Sequence, residues 1–545
     1  MTALPPEAQA LLALPAAEWF AELETWAPAD VDAAMWTRCR EDRAMFCASF
    51  FPDRFPAPFN RMHRDFLSRP KVPWTERKSK RYEADAAPRG GAKSTLRSYA
   101  ELLHDAVYGL EAYVAVISTT YDLAEDLVKD LHRTLTTPEA CPEFHETYGP
   151  FGVEGTQTDF VVRVPGQQSM GTRFKAFSFG GTIRGTKYNG IRPTKVLLDD
   201  AEHPEKVRSP VQREKTWSFL TKDILKAGGP GTLYQVVGTV LHGDSMLNRL
   251  LNSASWVSHK FQSIIQWPKR MDLWEVARTL WADLDDPERL ETARAFYEAN
   301  KASMDAGALV LWDAWEPLWD LMVQWWEGPA AFNSEKQNNP VDPTRQVYDP
   351  DTFHRCTFDG VHITNAAGRK VRLRDCKLAV WLDPRASEEI ERNDYAAIAV
   401  VALDPVGYVY VIACDMQRDT ADQARARMWA WFDRFHHRAR YAYESNGFQA
   451  LYGKDFARER KAREAAGKPA NFAPKGHVSR DNKNDRMVGL QPEVANGWIQ
   501  FATDLPREGL EQWRDLPRGT HDDGPDATER AIWLVRGGGM PTLGD

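Results

Sequence analysis

The stretch "APRGGAKST", residues 87–95, decides the fold. It follows a basic run, precedes a stretch with helical periodicity, and comes close to the phosphate-binding pattern G-x-x-x-x-G-K-[ST]. Alanine stands at both glycine positions, Ala87 and Ala92, whereas the K-S-T that ends the pattern is in place. The stretch is therefore either a nucleotide site with unusual residues or a small-residue turn before a helix.

A loop that leads into a helix presents backbone N–H groups and a positive dipole end to a phosphate. Alanine is nearly as small as glycine if its φ stays negative, and two glycines remain to take the unusual angles. In this interpretation the lysine reaches the β- and γ-phosphates, the serine holds Mg²⁺, and an arginine adds a second cation. The predicted nucleotide-binding residues are Arg89, Gly90, Gly91, Ala92, Lys93, Ser94 and Thr95, together with Asp199.

The stretch "KVLLDDAEH" at 195–203 is an apolar strand that ends in acids. Asp199 is the natural Mg²⁺ residue, and either Asp200 or Glu202 is the base that orients the attacking water. A solvated acidic turn is the alternative. Because a phosphate-type loop and an acid-ended strand occur in the right order, the sequence favours an ATP site.

Two other segments contain residues suited to contact the γ-phosphate of a bound ATP. "GGTIRGTKYNG" places Arg184 in a glycine-flanked loop, where it is a candidate arginine finger or a plain surface residue. "VVGTVLH" places Gly238 and Thr239 at a strand end, as a candidate sensor or an ordinary terminus.

Strands that alternate with helices up to about residue 270 predict a mostly parallel, doubly wound sheet. Residues 270–335 are helical and rich in tryptophan, and "SEKQNNPVDP" at 334–343 has the composition of a linker. A β-meander and further α/β elements follow.

Acids also mark strand ends in the second half. Asp383 ends "LAVWLD", Glu444 ends "ARYAYE", and "HDDGPDATE" puts Asp522, Asp523 and Asp526 at a helix start. Three such carboxylates can hold two divalent ions that activate water and stabilise the leaving oxygen of a phosphodiester. Each acid alone is more simply a cap or a solvated strand end. Together, in a meander followed by helices, they predict a ribonuclease-H-like nuclease.

The composition is that of a globular protein, with 43% hydrophobic and 27% charged residues and a net charge of −8. No overall basic field indicates nucleic acid, although a local groove would suffice. The six cysteines include no C-x-x-C pair, which fits a reducing cytoplasm. The sequence has no basic leader and no apolar run of membrane-spanning length.

The ordered set of motifs, from about residue 40 to residue 535, resembles the large terminase subunit of tailed bacteriophages. The phosphate loop is similar to that family's arginine-containing variant, and "KVLLDDAEHPEKVRSP" and "VVGTVLHGDSML" are similar to its hydrolysis and coupling motifs. "LDPRASEEIERNDYAAIAVVALD", "YESNGFQ" and "HDDGPDA" resemble its three nuclease motifs. "FNRMHRDF" resembles its adenine-side motif more weakly, through Asn60, Arg61 and His63.

This resemblance implies an ATP-driven motor that packages double-stranded DNA into a procapsid, and a nuclease that cuts the concatemer. It implies ATP and Mg²⁺ as cofactors, with Mn²⁺ as an alternative in the nuclease, and Asp383, Glu444 and Asp523 as metal ligands, with Asp526 close behind. It also implies a five-subunit ring on the portal protein, a small terminase subunit as partner, and a site of action in the cytoplasm of a host bacterium.

The predicted organisation is a helical extension (1–65), a P-loop ATPase domain (66–335, with a helical subdomain at about 270–335), a linker (336–350) and an RNase H-like nuclease domain (351–545). The alternative enzyme is a helicase-like ATPase fused to a resolvase, and an inactive prophage remnant is the non-enzymatic alternative. The loop has no glycine directly before its lysine, and the strand "KRYEADA" is unusually polar. Lys483, Arg486 and the basic run at 457–468 are candidate DNA contacts, and solvated surface is the favoured alternative for the run.

Overall fold

Two sheets with different strand orders organise the protein, and each belongs to its own unit. The computed structural model describes residues 28–166, 170–340, 347–384, 395–445, 452–479, 482–517, 519 and 521–538. The first unit consists of Met1–Lys269, Asp305–Trp325 and Pro329–Asp342, and the second of Arg270–Met304, Trp326–Gly328 and Pro343–Asp545.

The first sheet has eight strands in the order β3-β4-β5-β2-β6-β7-β1-β8. All neighbours are parallel except β3, β4 and β5, which pair antiparallel at one edge. The strands are β1 Arg81–Ala86, β2 Tyr113–Ser118, β3 Gly152–Thr156, β4 Asp159–Arg163, β5 Thr172–Ser178, β6 Lys195–Asp199, β7 Leu233–Gly238 and β8 Val257–Lys260. Since β6, β7 and β1 are adjacent, their carboxyl ends bring the acidic turn, the Gly-Thr and the phosphate loop together.

Helices flank this sheet, as the alternation of strands and helices in the sequence predicted. They are α1 Pro28–Glu41, α2 Arg43–Phe50, α3 Arg61–Ser68, α4 Glu101–Val107, α5 Tyr121–Thr136, α6 Pro142–Tyr148, α7 Pro210–Phe219, α8 Leu225–Ala227 and α9 Met246–Leu251. A π-helical turn, Thr95–Ala100, leads from the phosphate loop into α4. The predicted doubly wound P-loop fold of the first half is thus confirmed.

The unusual polarity of β1 has a structural reason. Asp85, on β1, is fully buried and pairs with the Arg97 guanidinium at 2.6 Å between Oδ2 and Nη2. Arg97 in turn binds the Glu101 carboxylate of α4 at 2.7 Å, and the Lys195 ammonium at the start of β6 binds Glu101 at 2.8 Å. A buried ionic network therefore joins β1, the helix after the phosphate loop and β6.

We expect Lys195→Met to destabilise the protein by about 3–5 kcal/mol, because it leaves the buried Glu101 and Asp105 carboxylates with less compensating charge. Urea unfolding followed by circular dichroism measures the loss. Lys187→Met is the matched control, since Lys187 is exposed and should change stability by no more than about 0.5 kcal/mol. Equal midpoints for the two variants would contradict a stabilising role for the network.

The second sheet has nine strands in the order β13-β12-β11-β19-β16-β15-β14-β17-β18. Its centre is the antiparallel meander β14-β15-β16, with β17 and then β18 added in parallel beside β14. This is the RNase H-like arrangement that the sequence predicted. The strands are β11 Arg355–Phe358, β12 His362–Thr364, β13 Lys370–Arg372, β14 Lys377–Asp383, β15 Ala396–Leu403, β16 Val409–Gln417, β17 Ala439–Glu444, β18 Lys475–His477 and β19 Ile499–Ala502.

Between the two sheets in sequence lie four helices and the short hairpin of β9 Ile264–Gln266 and β10 Leu309–Val310. The helices are α10 Met271–Ala282, α11 Arg289–Met304, α12 Leu318–Glu327 and α13 Pro329–Glu335. The predicted domain boundaries put all of 270–335 with the ATPase half and stay a prediction, whereas the units group α10 and α11 with the second sheet. Within that unit the Trp498 indole donates to the Ala282 carbonyl at 2.8 Å, and its ring lies 5.3 Å from Trp281.

Helices cover the second sheet on both faces. They are α14 Ala421–Phe435, α15 Tyr452–Ala465, α16 Lys483–Gly489, α17 Gln491–Ala495, α18 Arg507–Asp515 and α19 Asp523–Val535. The last of these packs against β14 and β15, next to the strand ends that carry the predicted acids. In the described part of the chain, no helix has the length and apolarity to cross a membrane.

Candidate nucleotide and metal sites

The backbone conformation of the phosphate loop restricts which residues it can accommodate. Gly90 has a φ of +81° and Ala92 a φ of +55°. A Cβ on Gly91 would lie 3.1 Å from the Pro88 carbonyl oxygen. From the sequence we expected alanine to suit this loop only at a negative φ, and at Ala92 this expectation is wrong. The left-handed conformation there costs about 1–2 kcal/mol, which is the kind of strain that binding loops hold.

The weak adenine-side motif lies behind this loop. The His63 imidazole bonds the Gly91 carbonyl oxygen through Nε2 at 2.8 Å, and its Nδ1 accepts from the Asn60 backbone N–H at 3.3 Å. Since a carbonyl only accepts and a backbone N–H only donates, the ring is neutral with its proton on Nε2. Burial also lowers the pKa of His63. Asn60 caps α3, whereas Arg61 is exposed.

The outer side of the loop is held by the segment that the sequence assigned to the linker. The Arg89 guanidinium pairs with Glu335 at 2.9 Å, and the Lys336 ammonium donates to the Arg89 carbonyl at 2.9 Å. Asn338, fully buried, accepts from the Val240 N–H at 2.9 Å and donates to the Phe261 carbonyl at 2.8 Å. This segment therefore connects the phosphate loop to the end of β7.

The predicted phosphate and acid residues meet at the carboxyl edge of the sheet. The Lys93 ammonium, buried, lies 3.1 Å from Asp200 Oδ2 and 3.4 Å from Thr239 Oγ1. The Ser94 hydroxyl donates to Asp199 Oδ1 at 3.0 Å. Thr95, half-buried, starts the π-helical turn. A cation, a hydroxyl and two carboxylates thus converge beside the strained loop.

Asp199 has a second hydroxyl partner that sequence reasoning missed. The Ser98 hydroxyl, fully buried, donates to Asp199 Oδ2 at 2.7 Å. Burial, with Asp200 adding repulsion, raises the pKa of Asp199 to about 6, and the two serines favour its charged form. The four-residue spacing from Ser94 was the available signal, because such residues share one helix face.

We expect Ser98→Ala to lower ATP hydrolysis about tenfold and to raise the Mg²⁺ concentration at half-maximal rate, because Asp199 loses one of its two orienting donors. Steady-state ATPase assays over a Mg²⁺ series measure both effects. Ser98→Thr, which keeps the hydroxyl, should recover most of the rate. A purely structural serine would instead lower stability without moving the Mg²⁺ dependence.

The two candidate bases occupy different environments. Glu202 accepts from the Met246 and Leu247 backbone N–H groups at 2.7 and 3.0 Å, so its carboxylate caps the start of α9. Asp200 is half exposed, has a φ of +43° and faces Lys93. The geometry therefore favours Asp200 over Glu202 as the residue beside a bound phosphate. The Arg184 guanidinium is half exposed and pairs with Asp223 at 3.0 Å.

In the second unit, carboxylates from three elements converge. Asp383 ends β14, Glu444 ends the neighbouring parallel strand β17, and Asp526 lies in the first turn of α19. One oxygen from each lies within 4.8 Å of the others. Burial raises the pKa of Asp383 well above its ordinary value, and the Asp526 carboxylate raises it further. Burial and Asp526 likewise raise the pKa of Glu444.

The helix phase distinguishes the three aspartates of "HDDGPDA". Asp526 faces the other two acids, whereas the Asp523 carboxylate lies 3.9 Å from the His521 ring and outside this close group. Asp522 sits at the N-cap position of α19 without a side-chain cap bond, and pairs instead with Lys483 at 2.8 Å. The third close carboxylate is therefore Asp526, with Asp523 one turn before it.

Lys483 and Arg486, which are candidate DNA contacts, both form ion pairs with these aspartates. The Lys483 ammonium is 3.0 Å from Asp526 Oδ2, and the Arg486 guanidinium is 3.0 Å from Asp526 Oδ1. Burial lowers the pKa of Lys483, but the Asp383, Asp526 and Asp522 carboxylates together raise it above its ordinary value. Their charges offset part of the carboxylate repulsion.

The residues present fit the groups that the motifs imply. Crowded, buried carboxylates with raised pKa values are relieved by a divalent cation, and a set of oxygen ligands suits Mg²⁺ or Mn²⁺. The small-residue loop, the buried lysine and the serine–aspartate pair suit a nucleotide phosphate with a divalent ion.

Comparisons with known proteins return structures but no sequence relatives. No family model and no curated protein matches the chain. The large terminase of a thermophilic bacteriophage, in complex with ADP, is 10% identical over 88% of this chain and 100% of its own, with a TM-score of 0.39. The HK97 bacteriophage large terminase is 12% identical over 91% and 99%, with a TM-score of 0.32.

A third similarity is to a nuclease domain. The human cytomegalovirus terminase nuclease domain, Mn soaked and inhibitor bound, is 16% identical over 29% of this chain and 82% of its own, with a TM-score of 0.23. All these TM-scores are below 0.5, so we base the fold on the two sheet orders.

Proposed function

We propose that this chain is the large terminase subunit of a tailed bacteriophage. It would use ATP hydrolysis to translocate double-stranded viral DNA into a procapsid, and a divalent metal to cut the DNA concatemer. The observation that carries the proposal is the pairing, in one chain, of a Lys93–Asp199–Asp200 cluster at the end of a parallel sheet with an Asp383–Glu444–Asp526 cluster on an RNase H-like sheet.

In the first site, Lys93 would leave Asp200 and hold the β- and γ-phosphates of ATP. Ser94 and Asp199 would hold the Mg²⁺, which when bound neutralises charge that develops on the phosphates. Asp200 would then be released to orient the attacking water through its carboxylate. Thr239 touches Lys93 from the end of β7 and would sense the γ-phosphate. Arg184 is assigned the arginine finger on the family resemblance alone.

In the second site, Asp383, Glu444 and Asp526 would hold the divalent cations, with Asp523 beside them. Bound cations supply the hydroxide nucleophile and stabilise the leaving oxygen of the phosphodiester. Lys483 and Arg486 form ion pairs with Asp526, where their charges offset that of the carboxylate and would stabilise an incoming phosphate. Cleavage would need no covalent nucleophile.

The assembly follows from the family resemblance. The chain would form a five-subunit ring on the portal protein in the cytoplasm of a host bacterium. A small terminase subunit would help to choose the DNA.

Purified protein tests the proposal in two assays. Plasmid incubated with Mn²⁺, Mg²⁺ or EDTA should be cut only when a divalent metal is present, and ATP hydrolysis should rise when double-stranded DNA is added. A forked duplex with one labelled strand separates the motor from the helicase-like alternative. Strand separation driven by ATP, or well-folded protein that neither cuts DNA nor hydrolyses ATP, would overturn the proposal.

A further inference from the structure

Helix α15 presents a row of cations to solvent. Lys454, Arg458 and Lys461, which we call the cationic stripe, are all exposed. Their spacing of four and three residues puts them on one face of the helix. The opposite face carries Tyr452 and Phe456, which are buried. The stripe is therefore the outward side of a helix whose inward side is fixed in the core.

Two of the three acids of the same helix, Glu459 and Asp455, contact the buried Arg425 of α14. Glu459 accepts from the Arg425 guanidinium at 2.8 Å and from the Trp429 indole at 2.8 Å. Asp455 lies 3.4 Å from Arg425, which is itself buried, and pairs with Arg458 at 3.0 Å. Within the described ranges, no carboxylate lies within ion-pair distance of Lys454 or Lys461. The outward face is thus net positive although the helix contains three acids.

The stripe begins next to the metal-site strand. Tyr452, the first residue of α15, stacks on Tyr443 with ring centroids 5.9 Å apart. Tyr443 immediately precedes Glu444 on β17. The start of α15, with Lys454, is therefore packed on the strand that ends in one of the three clustered carboxylates.

We propose that the cationic stripe binds the phosphate backbone of double-stranded DNA and holds the duplex at the nuclease site. From Lys454 to Lys461 the helix rises about 10 Å, which is about three base-pair rises of roughly 3.4 Å along the axis of a duplex. This inference rests on the proposed function. Of the two sequence-based alternatives for the 457–468 run, it favours DNA contact over solvated surface and extends the contact to Lys454.

The test compares Lys454→Gln/Lys461→Gln with Lys370→Gln/Arg374→Gln. The control pair removes the same charge from exposed side chains at β13, the opposite edge strand of the same sheet. Glutamine favours helix nearly as well as lysine, so the stripe variant should stay folded. Fluorescence anisotropy with a 30-base-pair duplex in EDTA gives the dissociation constant at several KCl concentrations.

The logarithm of the association constant for duplex DNA decreases linearly with log salt concentration. The steepness of this decrease should be smaller by about 1.8 in the stripe variant, since each lost phosphate contact removes about 0.9. The control variant should keep the wild-type slope. An unchanged slope in the stripe variant, or an equal fall in both variants, overturns the inference. The assignment to duplex DNA is overturned if the wild type binds single-stranded DNA as tightly as duplex and the stripe variant loses the same affinity for both.

A second readout separates this inference from the nuclease proposal. Hydrolysis of bis(p-nitrophenyl) phosphate with Mn²⁺ needs the metal site. The substrate itself is too small to reach the stripe. The stripe variant should keep this activity and lose most plasmid cleavage at moderate salt. Wild-type protein that hydrolyses neither substrate would overturn the nuclease proposal, whereas the salt slopes would still decide whether the stripe binds DNA.

Discussion

Replacing Lys93 with alanine is expected to lower ATP hydrolysis by at least about a hundredfold, or about 2.7 kcal/mol of transition-state stabilisation. The Lys93 ammonium is buried at the carboxyl edge of the sheet, 3.1 Å from Asp200 and next to the hydroxyl of Thr239. In the absence of that ammonium, charge developing on the γ-phosphate would face two carboxylates with no buried cation. Phosphate release in steady state measures the loss.

The same variant should cut plasmid at the wild-type rate, because the metal-site carboxylates belong to the other unit. Lys129→Ala, at a half-exposed position on α5, is the matched control and should retain full ATPase activity. Unchanged ATP hydrolysis in the Lys93 variant would remove Lys93 from the nucleotide site. Loss of both activities in folded protein would contradict the existence of two separate sites.

Asp383→Ala is expected to abolish metal-dependent DNA cleavage, with a fall of at least about a thousandfold, and to leave ATP hydrolysis intact. Asp383 supplies one of three carboxylates within 4.8 Å, so its loss breaks the ligand set. Plasmid relaxation and linearisation in Mn²⁺ measure the effect. Asp375→Asn, an exposed acid just before the other end of β14, is the control and should cut normally.

A stability measurement separates this ligand role from a structural one. Burial and the neighbouring Asp526 raise the pKa of Asp383, which means that its charged form is unfavourable in the metal-free fold. Asp383→Asn keeps the shape and removes the charge, so it should unfold at the same temperature as the wild type or higher when EDTA is present. Strong destabilisation together with lost cleavage would indicate a structural residue instead.

The sequence predicted the features that depend on neighbouring residues. Strand β6 and its terminal Asp199 follow from an apolar run that ends in acids, and Lys93 and Ser94 follow from their place after the glycines. The meander of the second half and the strand ends at Asp383 and Glu444 follow in the same way. These features need only local patterns and the rule that parallel strands share one carboxyl edge.

Other features depend on residues far along the chain, which no local pattern reports. Glu202 looked equivalent to Asp200 until α9, more than forty residues later, placed its N-terminus on that carboxylate. The choice of Asp526 over Asp523 depends on where α19 starts and how it packs on β14. The positive φ of Ala92 depends on contacts that hold the loop from both sides.

The grouping of α10 and α11 with the second sheet has a consequence for synthesis of the protein. Trp281 packs against the ring of Trp498, which is synthesised roughly two hundred residues later. At ordinary elongation rates this delay is about 10–40 s. During that interval the apolar side of α10 has no strand of its final sheet to cover it. Trp281 can pack on Trp326 during that interval, so the nascent chain leaves uncovered only the face of Trp281 that later receives Trp498.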